Sequence, residues 1–295
     1  MFIKQSPSRI AFNIINYTFL AVLAVSIILP FVNSFAMSMS GSDALKRGVV
    51  TLWPVDFTLV SYRTILLDPL FTITFVNTIF LTVVKTFLLI VISLMGGYAL
   101  HRDDFKFKKI ITFYIMVTMF FGGGLIPSYI LISNWLHWSN SYLALIVPGV
   151  VSQFLIIFFR NNIANLPKEM AESAEMDGAN DFVILFRIIL PLILPTVIAF
   201  VIFNAVGYWN EWYGCMLYIR DPRKFTLQYK LRQILQSAVV DMNSLKGMAV
   251  SMRDMVHPNN IKNAALLVTI LPIMLIYPFL QRYFIHGTLA GALKG

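Results

Sequence analysis

A single cysteine, Cys215, stands in 295 residues, so no disulfide can form within the chain. That leaves cysteine usage with little to say about redox compartment. Charge is scarce as well: Asp, Glu, Lys and Arg make up 13% of the chain, against about 25% in an ordinary soluble domain. The phosphate-cradling pattern G-x-x-x-x-G-K-[ST] does not occur, and Gly122–Gly124 has no lysine behind it and lies in an apolar stretch. The four histidines, His101, His137, His257 and His286, are scattered without ligand spacing, and no metal site is expected. His, Cys and carboxylates do not cluster inside the apolar stretches, which argues against a membrane-embedded enzyme. Despite a formal net charge of +9, no run of five basic residues exists, and no nucleic-acid partner is expected.

What the chain has in excess is apolar surface. Hydrophobic residues make up 58%, with 25 Phe and 14 Met, and the mean hydropathy is +0.75. Such an excess needs lipid as solvent. A helix crossing the hydrocarbon needs about 20 mostly apolar residues, and six stretches qualify: roughly Phe12–Met37, Phe71–Leu100, Ile110–Ser133, Tyr142–Phe159, Ile188–Tyr208 and Ala264–Phe284. The expected fold class is therefore all-α, a single six-span membrane domain over 1–295. Lys4 and Arg9 precede the first stretch as in a signal peptide, but the stretch is too long for one and is read as a retained span. Prolines at 30, 127, 148, 191, 195, 272 and 278 are tolerable where neighbours satisfy the freed carbonyls. Two long links, 38–70 and 210–263, are polar enough to be structured outside the bilayer. With both termini inside, inner and outer segments each hold eleven Lys and Arg, so raw counting ties. The dense HRDDFKFKK link and the Trp135/Trp138 segment, which lacks basic residues, favour an inner first and an outer second.

The link between the fourth and fifth stretches reads LPKEMAESAEMDGANDFVILFRIILPLILP, with 166–187 as its polar part. Pro167 suits a first helical turn, and Glu169 and Glu172 lie near that helix's positive end. Leu166, Met170 and Ala174 recur every four residues as an apolar stripe. Gly178 can take the left-handed conformation that ends a helix, and Asn180 or Asp181 can cap the next. The expected product is a short helix, a sharp turn and a second helix at the membrane surface. Ala171 and Ala174 would keep part of its face shallow enough for a partner's groove. An ordinary amphipathic interfacial helix would read the same way.

The residue pattern resembles the EAA motif of binding-protein-dependent ABC importers: Glu-Ala-Ala, Gly after three residues, then Ile-x-Leu-Pro after nine. Glu172, Ser173, Ala174, Gly178, Ile188, Leu190 and Pro191 fall at those spacings, with Ser173 the one departure. GGYALHRDDF (96–105), FFGGGLIPSYILI (120–132), AVGYWNEWYGCMLYI (205–219) and the tail GTLAGALKG (287–295) extend the likeness to the carbohydrate-uptake, maltose-type branch and its oligosaccharide subgroup. The resemblance implies a permease subunit in a bacterial plasma membrane, termini cytoplasmic, binding no cofactor and hydrolysing nothing itself. It implies two ATPase subunits carrying ATP and Mg, a second permease, an extracellular sugar-binding protein and an oligosaccharide substrate. It places Glu172, Ser173, Ala174, Asp177 and Gly178 in an ATPase-coupling helix, and Gly291, Ala292, Lys294 and Gly295 in a tail along the ATPase interface.

Two further groups of residues invite a substrate role. Lys85 is the lone cation deep in an expected span, where it must face protein or water. It could meet sugar hydroxyls or acidic groups, or pair with a neighbouring helix. Asn204, Tyr208, Trp209, Asn210 and Glu211, with Trp212, offer stacking and hydrogen-bonding groups at the outer end of the fifth span, though an interfacial aromatic belt looks similar. Asn204 and Glu211 are seven apart and would share one helix face. An ion-coupled secondary transporter, with inverted repeats and midplane charges, is the rival class, and Lys85 alone does not support it.

Overall fold

The computed structural model describes residues 6–244 and 257–292, with side chains described for 6–236 and 257–276. The regular secondary structure among the described residues is all helix, and the chain divides into two compact units, 1–69 with 233–271 and 70–232 with 272–295.

In the first unit, α1 (Pro7–Ser38) is apolar all round and largely bare, with Phe12, Ile15 and Tyr17 66–69% exposed. A helix with no polar face and no protein cover suits lipid. Its last turn is different: Ala36 is buried against Ala44 and Val50. The following link is structured, as expected from its polarity, and holds α2 (Ser42–Lys46) and α3 (Val60–Leu66). The Ser40 hydroxyl donates to the Ala36 carbonyl (2.6 Å) and accepts from the Val55 amide (3.1 Å). Ser38 and the Tyr62 hydroxyl meet at 2.8 Å.

The second unit begins with α4 (Pro69–His101), whose buried residues Phe71, Thr74, Thr78, Leu81, Lys85 and Leu89 recur every three or four positions. That spacing makes one inward stripe. The third stretch is not one straight helix. It comprises α5 (Lys108–Phe120) and α6 (Leu125–Ile130), the latter continued by a π turn to Trp135, and the two limbs diverge by 111°. Gly124, at φ +83°, supplies a left-handed residue in the break, and the run Gly122–Gly124 accordingly marks an interruption. The fourth stretch is also divided, into α7 (Leu143–Ile146), a short 3₁₀ turn holding Pro148, and α8 (Gln153–Ala164), with a 40° bend. Ser152 starts α8 by accepting from the Leu155 amide at 3.3 Å. The helix runs to Ala164, five residues past the expected end at Phe159.

Next come α9 (Lys168–Met176), α10 (Asp181–Val183), a π turn over Ile184–Ile189, and α11 (Leu190–Trp209). The stretch Asp181–Trp209 is long and apolar enough to cross a membrane, so this span starts earlier than Ile188. Pro191 directly follows the π turn inside this continuous helix, where the missing N–H leaves a carbonyl for neighbours to satisfy. The described part of the expected outer link from Asn210 to Asn263 holds α12 (Tyr213–Tyr218), α13 (Leu227–Ser244) and the start of α14 (Pro258–Ala292), which begins in the first unit, six residues before the expected Ala264. Among the described residues four helices are long and apolar enough to span, or up to six if each bent pair counts as one. The core of the second unit joins α4, α8 and the entry to α11 through Leu89, Leu94, Phe159, Ile163, Ile184 and Ile189.

Candidate functional site

The most densely connected polar region lies where α4 ends and α9 passes. Helix α9 forms as its residues dictate: Pro167 opens it, and Gly178 at φ +82° closes it in the left-handed conformation. The Gly178 amide donates to the Glu175 carbonyl and the Ala179 amide to the Ala174 carbonyl, both at 2.9 Å, which satisfies the helix's last acceptors. Asn180 then caps α10, its side-chain oxygen accepting from the Val183 amide at 2.9 Å. Of the two capping candidates, Asn180 is the one used.

One expectation about α9 is reversed. Ala171 and Ala174 pack against the chain's own core together with Leu166, while Met170 is exposed and interrupts the expected stripe. Small side chains let α9 lie close to its own protein, and its exposed residues include Glu172, Ser173 and Met176, with exposed Asp177 just beyond its end. Met176 is 88% exposed. Leu190 rests against the same core and Pro191 is exposed. A cavity of about 280 Å³ separates α9 from the end of α4, lined by Tyr98, Arg102, Leu166, Glu172, Glu175 and Ile188 among others.

Around it runs an ion-pair network. The Arg102 guanidinium donates to both carboxylate oxygens of Asp104 (3.0 and 3.1 Å) and to Glu175, and lies 3.5 Å from Asp181. The Tyr98 hydroxyl donates to Asp181 at 2.9 Å. Asp103 accepts from Lys108 (3.2 Å) and from Lys168 at the start of α9 (3.4 Å). Asp104 and then Glu175 hold Arg102 charged beyond its already high ordinary value. Lys108 and Lys168 hold the Asp103 carboxyl below the usual carboxylate range, and Arg102 does the same for Asp104. In the sequence the HRDDFKFKK link signals only orientation, because partners 65 and 73 residues apart leave no spacing signal.

The residues expected along a substrate path divide. Lys85 and Tyr208 do come together, the ammonium 4.2 Å from the ring centroid, and the Tyr208 hydroxyl donates to the Gly149 carbonyl. Lys85 is only 4% exposed. This is the pairing with a neighbouring helix that its depth allows, worth about 2 kcal/mol when desolvated. Trp209 is buried edge-on against Phe75, ring centroids 5.8 Å apart. Asn204 donates to its own helix at the Phe200 carbonyl (2.8 Å). The shared face of Asn204 and Glu211 does not exist: α11 stops at Trp209, where Asn210 turns back to the Val206 carbonyl (2.9 Å). Beyond that end, Glu211 accepts from the Gly214 amide (2.7 Å) and starts α12. Arg232 lies over the Trp212 ring at 3.8 Å, occupying a face that a sugar would need. Gly291 and Ala292 lie in α14, whereas Lys294 and Gly295 fall outside the described residues.

Residues 93–289 match the family described as the binding-protein-dependent transport system inner membrane component. The chain belongs to that family. This permease is similar to the Bacillus subtilis polygalacturonan/rhamnogalacturonan transport system permease YtcP, 34% identical over 96% of this chain and 98% of that protein. LplC of the same organism is also 34% identical, over 96% of this chain and 95% of that one. Among solved structures, the permease resembles a chain of a bacterial ABC transporter involved in import of the acidic polysaccharide alginate. The TM-score there is 0.85 at 28% identity, covering 96% of this chain and 100% of that one.

Proposed function

We propose that this permease forms half of an oligosaccharide pathway in an ATP-driven importer, with a second permease as the other half. The observation that carries the reading is the full-length structural likeness to a chain of an alginate importer. Polygalacturonan, rhamnogalacturonan and alginate carriers among the relatives favour sugar over a non-sugar solute, the second reading. Six spans are proposed, each bent pair crossing once, with α9 at the cytoplasmic surface.

On this reading α9 presents Glu172, Ser173, Met176 and Asp177 to a cytoplasmic ATPase subunit that holds ATP and Mg. Closure of two such subunits would carry α9 with it. Because α10, the π turn and α11 form one continuous stretch from Asp181 to Trp209, the motion would tilt that span and switch the cavity between its two faces. An extracellular binding protein would deliver the sugar to the outer helices after Asn210, and the end of the chain, from Gly291 to Gly295, would lie along the ATPase pair. Lys85 stands behind the pathway wall rather than on it.

Purified importer in vesicles, given ATP, binding protein and labelled neutral and acidic oligosaccharides, tests the function. ATP-dependent accumulation of at least one sugar is expected; accumulation of a non-sugar solute alone would sink it. The expected side of α9 is checked by Met176→Cys with an impermeant thiol reagent. Native Cys215 is fully buried and free, so background is low. Labelling only after permeabilisation is expected, and labelling of intact cells would invert the topology. For Lys85→Met, lower thermal stability with near-unchanged apparent affinity is expected. An affinity loss of about tenfold, or 1.4 kcal/mol, at unchanged stability would place the ammonium on the sugar path.

A further inference from the structure

The end of α4 grips α9 at both of its ends. Asp103 holds Lys168, the first residue of α9, and Arg102 holds Glu175 in its last turn. The same Arg102 guanidinium lies against Asp181, the first residue of α10, which Tyr98 of α4 also binds. These contacts are unequal. Lys168 and Asp103 are 65% and 81% exposed, and a pair that open contributes little. Arg102 and Glu175 are 28% and 42% exposed, and Arg102 bridges three carboxylates, a task for a planar fork of donors that a lysine ammonium cannot reproduce. Ala171 and Ala174 meanwhile press α9 onto the core that includes Tyr98 and Ile163. The short helix is thus tied to α4 by charge and to its own core by contact, besides its covalent continuity with α11.

We infer that Arg102 is a positioning residue for transport coupling: it makes α4 a second lever, so that displacement of α9 moves α4 together with α11. The inference rests on the reading that α9 docks on the ATPase. Without Arg102, α9 would still dock and hydrolysis would continue, but its motion would reach α4 only through the exposed Lys168–Asp103 pair, the Tyr98–Asp181 bond and apolar contact. Hydrolysis would then run with less sugar moved. A residue that merely supported the fold would lower transport and hydrolysis together and leave their ratio alone.

The test uses the complete importer in vesicles, with wild type, Arg102→Ala, Arg102→Lys and Glu175→Gln compared for ATPase co-purification, ATP hydrolysis and sugar accumulated per ATP. Arg102→Ala and Glu175→Gln are expected to co-purify normally and to lose at least about fivefold in sugar per ATP, the low end of ordinary coupling free energies. Arg102→Lys, keeping the charge without the fork, is expected to recover part of the loss. A wild-type ratio in a fully assembled Arg102→Ala overturns the inference. So does failure of both Arg102→Ala and Glu175→Gln to assemble, since the pair would then serve the fold. If the wild-type chain itself fails to capture an ATPase, the underlying reading fails instead, and the two failures are distinguishable.

Discussion

Gly178→Asp is expected to leave the permease in the membrane at near-normal yield while lowering transport by roughly a hundredfold, within the range of ordinary coupling free energies. The backbone at Gly178 has φ +82°, and nothing lies within 4 Å of where a side chain would begin. Steric damage is therefore confined to the left-handed conformation itself, about 1–2 kcal/mol for most residues and least for Asn and Asp. The new carboxylate would stand beside exposed Asp177 at the negative end of α9, where another anion is unfavourable. It would also project into the open space that the proposed ATPase surface occupies. Glu172→Lys makes the complementary case, because Glu172 is exposed and its replacement reverses charge without disturbing packing. Membrane yield, ATPase co-purification and uptake should be read together. Normal co-purification and normal uptake in both variants would remove α9 from the coupling path.

Gly97→Ala is expected to destabilise the permease by about 1–3 kcal/mol, the ordinary cost of overpacking, and Gly97→Val by more. A methyl group at Gly97 would stand 2.9 Å from the Arg160 amide nitrogen and from the Phe159 Cβ, and 3.1 Å from the Ile156 carbonyl. All three belong to the α8 backbone or lie one bond from it, so no side-chain rotation relieves the clash and α4 must part from α8. Close approach through a small residue is how helices associate in lipid, which offers no hydrophobic advantage for contact. Neighbouring Gly96 is the control. A methyl group there meets only the Ile156 side chain, at 3.3 Å and beyond, and that side chain can shift. Thermal unfolding in detergent should separate Gly97→Ala clearly from Gly96→Ala. Equal stability of the two would contradict the packing account.

The parts of this protein that sequence made legible are those governed by neighbours in the chain. Gly178 and Asn180 announce a helix end and a helix start, and both act as their chemistry dictates. The long apolar runs at Phe71–Leu100 and Ile188–Tyr208 are inside α4 and the Asp181–Trp209 stretch. Gly122–Gly124 lies within an apolar stretch that read as one span, and the backbone breaks there. The Arg102 network was invisible because its partners lie far along the chain and only the packing of α9 under α4 unites them. Glu211 was misplaced for a local reason: Gly207 and Asn210 can each sit within a helix or end one, and α11 passes Gly207 but ends at Trp209. The face that α9 offers outward was also hidden, since alanine serves equally well to admit a partner or to sit close to its own core.

The π turn over Ile184–Ile189 has a consequence for how loop length and direction are linked. A π turn holds one residue more than the α-helix it interrupts, and each α-helical residue rotates the chain by about 100°. Loss of any one residue between 184 and 189 would let the turn rewind into ordinary helix, leaving α11 whole and its apolar character nearly unchanged. Because the π turn takes up its extra residue within the same total rotation, the short helix upstream would keep Glu172 and Met176 on nearly their present bearing. A one-residue deletion in the ordinary helix after Pro191 has no such buffer and would turn α9 by about 100° around the span's axis.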